Sequence, residues 1–155
     1  MTDQDAVMTE IAAAIELSQG GHTATARERF SAIWEEIGPA ADPFHRCVLA
    51  HHAADVQADV ADELRWDLLA LEAADQIGPG RAEEHHPSLA LAGFYPSLHL
   101  NLADVYRRLG DRDRAGEHLD RAREAIGTLG DDGYGRMIRD GITRCAARLA
   151  ETTDG

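Results

Sequence analysis

The chain has 155 residues with 28 acidic and 15 basic side chains, which gives a formal net charge of −13. Phosphate backbones and anionic membranes bind basic surfaces, so this charge argues against nucleic-acid and membrane partners. The N-terminal residues lack a basic stretch followed by an apolar run, and no apolar run approaches the ~20 residues that span a bilayer. All the basic residues are arginine, a composition typical of a GC-rich bacterial genome. We therefore expect a bacterial, cytoplasmic protein with a single domain, 1–155.

Three predicted helix pairs and a final helix follow one another along the chain. Hydrophobic residues make up 44% of the chain, and Ala and Leu, which favour helix, dominate them. The pairs are predicted over 7–38, 42–78 and 97–127. Within the second pair, the helices at about 42–58 and 61–77 carry the apolar stripes Leu49, Ala53, Val56, Val60 and Trp66, Leu69, Ala70, Ala73. Asp131-Asp132 is predicted to cap a last helix over 133–151.

The first and third pairs repeat each other at an offset of 89 residues. Gly21 and Gly110 occupy equivalent positions, each between two predicted helices, and glycine readily takes the positive φ that ends a helix. The other matched positions are Ala14 with Ala103, Leu17 with Tyr106, Ala26 with Ala115, and Ile37-Gly38 with Ile126-Gly127. Small residues at the matched alanines let two helices approach closely. The repeat therefore predicts two similar antiparallel hairpins.

The third pair resembles the tetratricopeptide repeat (TPR) family. Its residues Leu102-Ala103, Tyr106, Gly110-Asp111, Ala115, Leu119 and Ala122 are spaced as in that family's pattern. The resemblance implies an all-α, right-handed superhelix of three antiparallel hairpins, closed by a C-terminal capping helix. It also implies binding of a protein or peptide on the concave face, with no cofactor. Two features depart from the family: Trp66 stands where a small residue is expected, and segment 79–95 is inserted.

The resemblance places the partner-binding residues on the first helix of each pair. The family's contact positions fall on Ile11, Ile15, His51, Asn101, Asp104, Arg107 and Arg108. Phe94 and Tyr95 in the insertion are too apolar for a solvated linker, so we expect them to pack or to line the groove. Pro96 then suits the first position of the following helix. The negative charge of Asp104 argues against capture of a peptide carboxylate.

Histidine is the unusual component, with eight residues in the chain. His51, His86 and His99 could converge to hold a divalent metal ion, because imidazoles are common ligands of zinc. Together with His45, Asn101 and Tyr95 they form an alternative site for a metal or a small molecule, which would allow an enzyme. Structural roles in packing are the other interpretation of the same histidines.

No motif for a nucleotide, a nucleophilic serine or a zinc protease is present, so an enzyme is the less favoured class. Cys47 and Cys145 have no paired spacing and are expected to be reduced thiols on apolar helix faces. The acidic residues Asp55, Asp59, Asp62, Glu63 and Asp67 are expected to be solvated. Trp34 and Trp66 are expected to pack in the core. The leading prediction is a partner-binding module, and self-association remains an open alternative.

Overall fold

The computed structural model describes residues 4–77, 91–126 and 133–152, and in these ranges the chain is all-α, as predicted. It divides into two compact units, Met1–Gln76 and Ile77–Gly155. The helices of the first unit are α1 (Gln4–Gln19), α2 (Thr23–Ile37), α3 (Pro43–Ala54) and α4 (Val60–Ile77). Those of the second unit are α5 (Leu91–Leu109), α6 (Arg112–Ala125) and α7 (Gly133–Thr152). No helix within the described ranges has the length and apolarity to cross a membrane.

The two glycine turns predicted from the repeat have the same geometry. Gly21 and Gly110 have φ angles of +88° and +85°. In each turn the glycine N–H donates to the carbonyl three residues earlier at 3.1 Å, and the next N–H donates to the carbonyl five residues earlier at 2.9 Å. These two bonds define the Schellman motif, which satisfies carbonyls at the helix end and needs a residue that accepts positive φ. The 89-residue offset therefore relates two turns of one conformation.

The core of the first unit contains buried alanines and a large aromatic side chain. α1 packs against α2 and α3, and α2 also packs against α3. Ala14 and Ala26, which are matched in the repeat to Ala103 and Ala115, are fully buried. Phe30 is also fully buried, and burying one such side chain contributes about 1.5–3 kcal/mol.

The two tryptophans of the first unit pack as predicted. Trp34 and Trp66 meet edge to face with ring centroids 5.1 Å apart. The Arg46 guanidinium lies 4.5 Å from the Trp34 centroid, where the ring attracts a cation. The bulk of Trp66 is therefore used in a ring–ring contact between α4 and α2.

The turn between α3 and α4 differs from the prediction. α3 ends at Ala54, not near residue 58, so Val60 belongs to the next helix and does not extend the stripe of α3. The Gln57 side-chain amide donates to the Ala53 carbonyl at 2.9 Å and so satisfies one carbonyl at the helix end. Val56 is buried in the turn itself. A side-chain hydrogen bond here takes part of the role that glycine has in the other hairpins.

The second unit is a three-helix assembly in which α7 covers the α5–α6 hairpin. α5 packs against α6 and α7, and α6 packs against α7. The helix predicted over 133–151 is observed over Gly133–Thr152, but its predicted cap at 131–132 lies outside the described residues. The buried cluster at the centre of this unit consists of Ala103, Leu119, Ala122, Ile138, Ile142 and Cys145. α7 therefore buries an apolar face that the hairpin would otherwise expose.

α5 begins earlier than the sequence suggested. Pro96 was expected to be its first residue, but the helix begins at Leu91 and contains Pro96, whose ring is fully buried. A proline inside a helix lacks one backbone donor, which normally disfavours it. The apolar residues at 95, 98 and 102 nevertheless follow helical spacings of 3 and 4 across it. Residues 79–90, the rest of the predicted insertion, lie outside the described residues.

Candidate functional site

α5 and α7 lie side by side in the second unit and run in the same direction. The Tyr134 hydroxyl is hydrogen-bonded to the Ser97 side chain. Further along, Gly141 approaches Leu100 so closely that a Cβ on the glycine would lie 2.7 Å from Leu100 Cδ2. Because both contact points advance toward the C-terminal end of each helix, the two helices run in the same direction. The absent side chain at Gly141 permits this close approach.

Along the edge of α7 that meets α5, residues recur at helical spacing. The residues at 134, 137, 141, 144 and 148 are separated by 3, 4, 3 and 4 positions, which places them on one stripe. Met137 is 56% exposed and Tyr134 is 40% exposed, and they are the exposed large hydrophobic residues of this helix. Arg144 is exposed on the same stripe and makes no ion pair with any described residue.

The neighbouring face of α5 is polar. Ser97, Asn101 and Asp104 are partly buried there and Arg108 is exposed, again at helical spacing. The Asp104 carboxylate accepts from Arg107 Nη2 at 2.8 Å through one oxygen and from Arg108 Nε at 3.1 Å through the other. Both arginines are therefore oriented by one carboxylate. We call the surface formed by this side of α5 and the stripe of α7 the α5–α7 face.

Six of the residues predicted for partner binding lie on α5. Among them, Asn101 and Arg108 belong to the α5–α7 face, and Asp104 and Arg107 take part in its ion-pair network. Phe94 lies in α5, but its side chain is outside the described part of the chain. Tyr95 is partly buried and stacks on His99 at a centroid distance of 6.1 Å. Its ring is therefore used in packing within the second unit.

A column of four stacked rings runs between α5 and α6. Tyr95, His99, His118 and Tyr106 follow one another with successive centroid distances of 6.1, 5.3 and 5.5 Å. His99 Nδ1 and His118 Nδ1 are 3.0 Å apart, and both side chains are buried. In a hydrogen bond between these two nitrogens, one carries the proton and donates, and the other lacks a proton and accepts. Burial lowers the pKa of His118, Arg121 lowers it further, and Glu117 opposes them.

The predicted contact residues of the first unit are more enclosed than those of α5. Ile11 is fully buried, so it offers a partner no surface in this conformation, whereas Ile15 is partly exposed. His51 is partly buried, and burial lowers its pKa. Burial raises the pKa of Asp55, and His52 opposes that shift.

Two further side chains of the first unit are buried and polar. Burial raises the pKa of the Cys47 thiol to about 12, with Asp75 adding to the shift, and both Cys47 and Cys145 are free and buried, as predicted. Asp67 was expected to be solvated but is only 1% exposed. It lies three and seven residues before the buried Ala70 and Ala74, and therefore on the inner side of α4.

The histidines proposed as metal ligands do not all belong to one unit. His51 belongs to the first unit and His99 to the second, while His86 lies outside the described residues. The His99 ring is sandwiched between Tyr95 and His118, and one of its nitrogens faces His118. In the described ranges, no group of three or more His, Cys, Asp or Glu side chains is arranged to hold a metal ion.

Comparisons of the chain with models of known protein families, with curated proteins and with solved structures find no match. The likeness to the TPR pattern therefore rests on the residues and turns described above.

Sequence reasoning overlooked His118 and Met137. In the hairpin, Ala103 lies opposite Ala115. His99 is four residues before Ala103 and His118 is three residues after Ala115, so the same register places the two histidines opposite each other. This signal was available in the sequence. Met137 had none, since a methionine among arginines on a helix surface is not distinguishable from ordinary exposed residues before the neighbouring helix is known.

Proposed function

We propose that this chain is a TPR-like protein- or peptide-binding module and that its partner binds on the α5–α7 face of the second unit. The observation that carries the proposal is the combination of exposed Tyr134 and Met137 with the polar side chains of Asn101 and Arg108 on two parallel helices. Tyr, Met and Arg are enriched in protein interfaces relative to the rest of the surface. A mixed face of this kind suits a partner with both apolar and polar groups.

The repeated hairpins support the TPR-like part of the proposal. The turns at Gly21 and Gly110 share their hydrogen bonds and their φ angles, and the alanines matched by the repeat are all buried. In repeat proteins a terminal helix covers the last apolar face, as α7 covers the α5–α6 hairpin. The right-handed superhelix and its concave face, as implied by the family resemblance, belong to this proposal.

The chemistry of the described residues favours binding over catalysis. The buried thiol of Cys47 has a raised pKa, which opposes formation of the nucleophilic thiolate. The buried imidazoles of His99 and His118 face each other, so their Nδ1 atoms are directed at one another and not at a substrate. The accessible groups on the α5–α7 face are instead suited to hydrogen bonds, ion pairs and apolar contact.

Site-specific photo-crosslinking in the native host tests this proposal. A photoreactive amino acid placed at Met137 should crosslink to a discrete partner, whereas the same residue at Arg121, exposed on α6, should not. Crosslinking from Met137 should weaken in Asn101→Ala and Arg108→Ala, and it should persist in Arg112→Ala. Central contacts cost more than about 1–2 kcal/mol of binding, while exposed substitutions normally change stability by less than about 0.5 kcal/mol. Equal crosslinking from both positions would contradict the placement of the site.

A further inference from the structure

The charge on α7 differs in sign from that of the whole chain. The helix contains four arginines, Arg136, Arg139, Arg144 and Arg148, against Asp140 and Glu151, while the chain carries −13. Charges farther apart than the Debye length, about 8 Å at physiological ionic strength, are largely screened from each other. A group in contact with α7 is therefore affected mainly by nearby charges, which on this helix are four arginines against two acidic residues, and less by the acidity of the whole chain.

On the α5–α7 face, Arg144 is the cation that is open to an external anion. The Asp104 carboxylate is held by Arg107 and Arg108 through both of its oxygens. Arg144 is exposed and makes no ion pair within the described ranges. A guanidinium binds a carboxylate through two parallel hydrogen bonds, a geometry that is both strong and specific.

The surface next to Arg144 is apolar. Met137 lies seven residues earlier on the same stripe, which corresponds to about 10 Å along the helix axis. Between them Gly141 has no side chain, and the Leu100 side chain of α5 fills the space that a Cβ would occupy. Along the stripe, the exposed thioether of Met137 is followed by the apolar contact of Leu100 at Gly141 and then by the guanidinium of Arg144.

We propose that the partner of the α5–α7 face is an acidic peptide segment that sets an apolar side chain on Met137 and a carboxylate on Arg144. This inference rests on the proposed function. The 10 Å between the two groups corresponds to about three residues of an extended peptide at ~3.3 Å per residue, or to seven residues of a helix. The segment therefore carries an apolar and an acidic residue at one of these two spacings.

Selection from a phage-displayed library of random 16-residue peptides on the full chain tests the partner chemistry. We expect the recovered peptides to be enriched in Asp and Glu, with an apolar residue three or seven positions away. Their affinity should fall as sodium chloride is raised from 50 to 500 mM, because salt screens the ion pair. Peptides enriched in Lys or Arg, or peptides with no charge bias, would overturn the inference. A competition experiment would also overturn it if a single-stranded oligonucleotide displaced the peptides and an unrelated acidic peptide of equal charge did not.

Charge reversal on α7 provides the matched comparison. Arg136 and Arg144 are both exposed and without an ion pair to the described residues, but Arg136 is one residue from Met137 and hence about 100° around the helix, off the stripe. Arg144→Glu should weaken the selected peptides at least tenfold, and Arg136→Glu less than threefold, with unchanged helical spectra and Tm for both. Equal effects of the two variants overturn the inference.

Peptide binding by the α5–α7 face and the acidic character of the peptide can be tested separately. If Met137→Ser and Asn101→Ala weaken the peptides while Arg144→Glu does not, the α5–α7 face binds peptides but the acidic partner is wrong. If none of these variants changes the binding of recovered peptides, or if no peptide is recovered, the proposed function and the inference both fall.

Discussion

The close approach of α5 and α7 can be tested by comparing two glycines that lie inside helices of the second unit, Gly116 and Gly141. A Cβ added at Gly116 in α6 meets no atom within 4 Å, whereas one added at Gly141 in α7 lies 2.7 Å from Leu100 Cδ2. Alanine in place of a helical glycine stabilises a protein by about 0.5–1 kcal/mol where the new side chain fits. Gly116→Ala should therefore stabilise the chain by that amount.

Gly141→Ala should lose this gain. Leu100 must move aside, and an off-rotamer side chain costs about 0.5–1.5 kcal/mol, so the net change in the free energy of unfolding should lie near zero or be destabilising. The difference between the two glycine substitutions should be about 1 kcal/mol. Because Leu100 is partly exposed, its methyl end can shift without opening a cavity in the centre of the unit.

A double-mutant cycle in chemical denaturation, followed by far-ultraviolet circular dichroism, measures the effect. In a Leu100→Ala background the obstruction is gone, so Gly141→Ala should then stabilise by about 0.5–1 kcal/mol, as Gly116→Ala does. If Gly141→Ala already stabilises the wild-type chain as much as Gly116→Ala, the two helices are not in contact at this point. The α5–α7 face would then have no structural basis.

Three further predictions concern packing and pH. Ala115→Leu should lower stability by about 1–3 kcal/mol, because a fully buried position of the α5–α6 hairpin has no room for added bulk; a Tm within error of wild type would show that the hairpin register is wrong. Stability should fall as the pH drops below about 6.5, because the unfolded chain takes up a proton that buried His118, with its lowered pKa, resists; urea titrations should show a smaller loss in His118→Phe, and an equal loss would exclude this residue. Deletion of residues 133–155 should uncover the apolar cluster on α5 and α6 and cause oligomers in sedimentation experiments, whereas a monomer of unchanged Tm would contradict a covering role for α7.

The hairpins that contain glycine turns were predictable because their sequence signals are local. A glycine at C′ and small residues at fixed distances on either side determine where two helices turn and touch, and both turns appear as predicted. The last helix was equally clear, since the apolar residues Tyr134, Ile138, Ile142, Cys145 and Leu149 recur along it at helical spacing. These features need only the helix period and the conformational freedom of glycine.

The features that sequence reasoning missed depend on side chains from elsewhere in the chain. The Gln57 side chain bonds a carbonyl at the end of α3, which no cap pattern signals. The start of α5 at Leu91 places Pro96 inside the helix, where proline is normally disfavoured. Asp67 has an ordinary acidic spacing on α4, and only the packing around that helix shows that it is buried. The α5–α7 face likewise needed the side-by-side placement of two helices that are separated in the chain by the whole of α6.

The aromatic residues are divided between the units in a way that makes the protein its own reporter. Both tryptophans, Trp34 and Trp66, belong to the first unit, and all three tyrosines, Tyr95, Tyr106 and Tyr134, belong to the second. Emission excited at wavelengths that only indole absorbs therefore follows the first unit alone, and it is sensitive to the edge-to-face contact of the two rings. Phenol absorbance difference spectra follow the second unit, including the stacked ring of Tyr106. The unfolding of each half of the chain can thus be observed separately in one unlabelled sample, and a ligand that occupies the α5–α7 face will change the phenol signal through Tyr134.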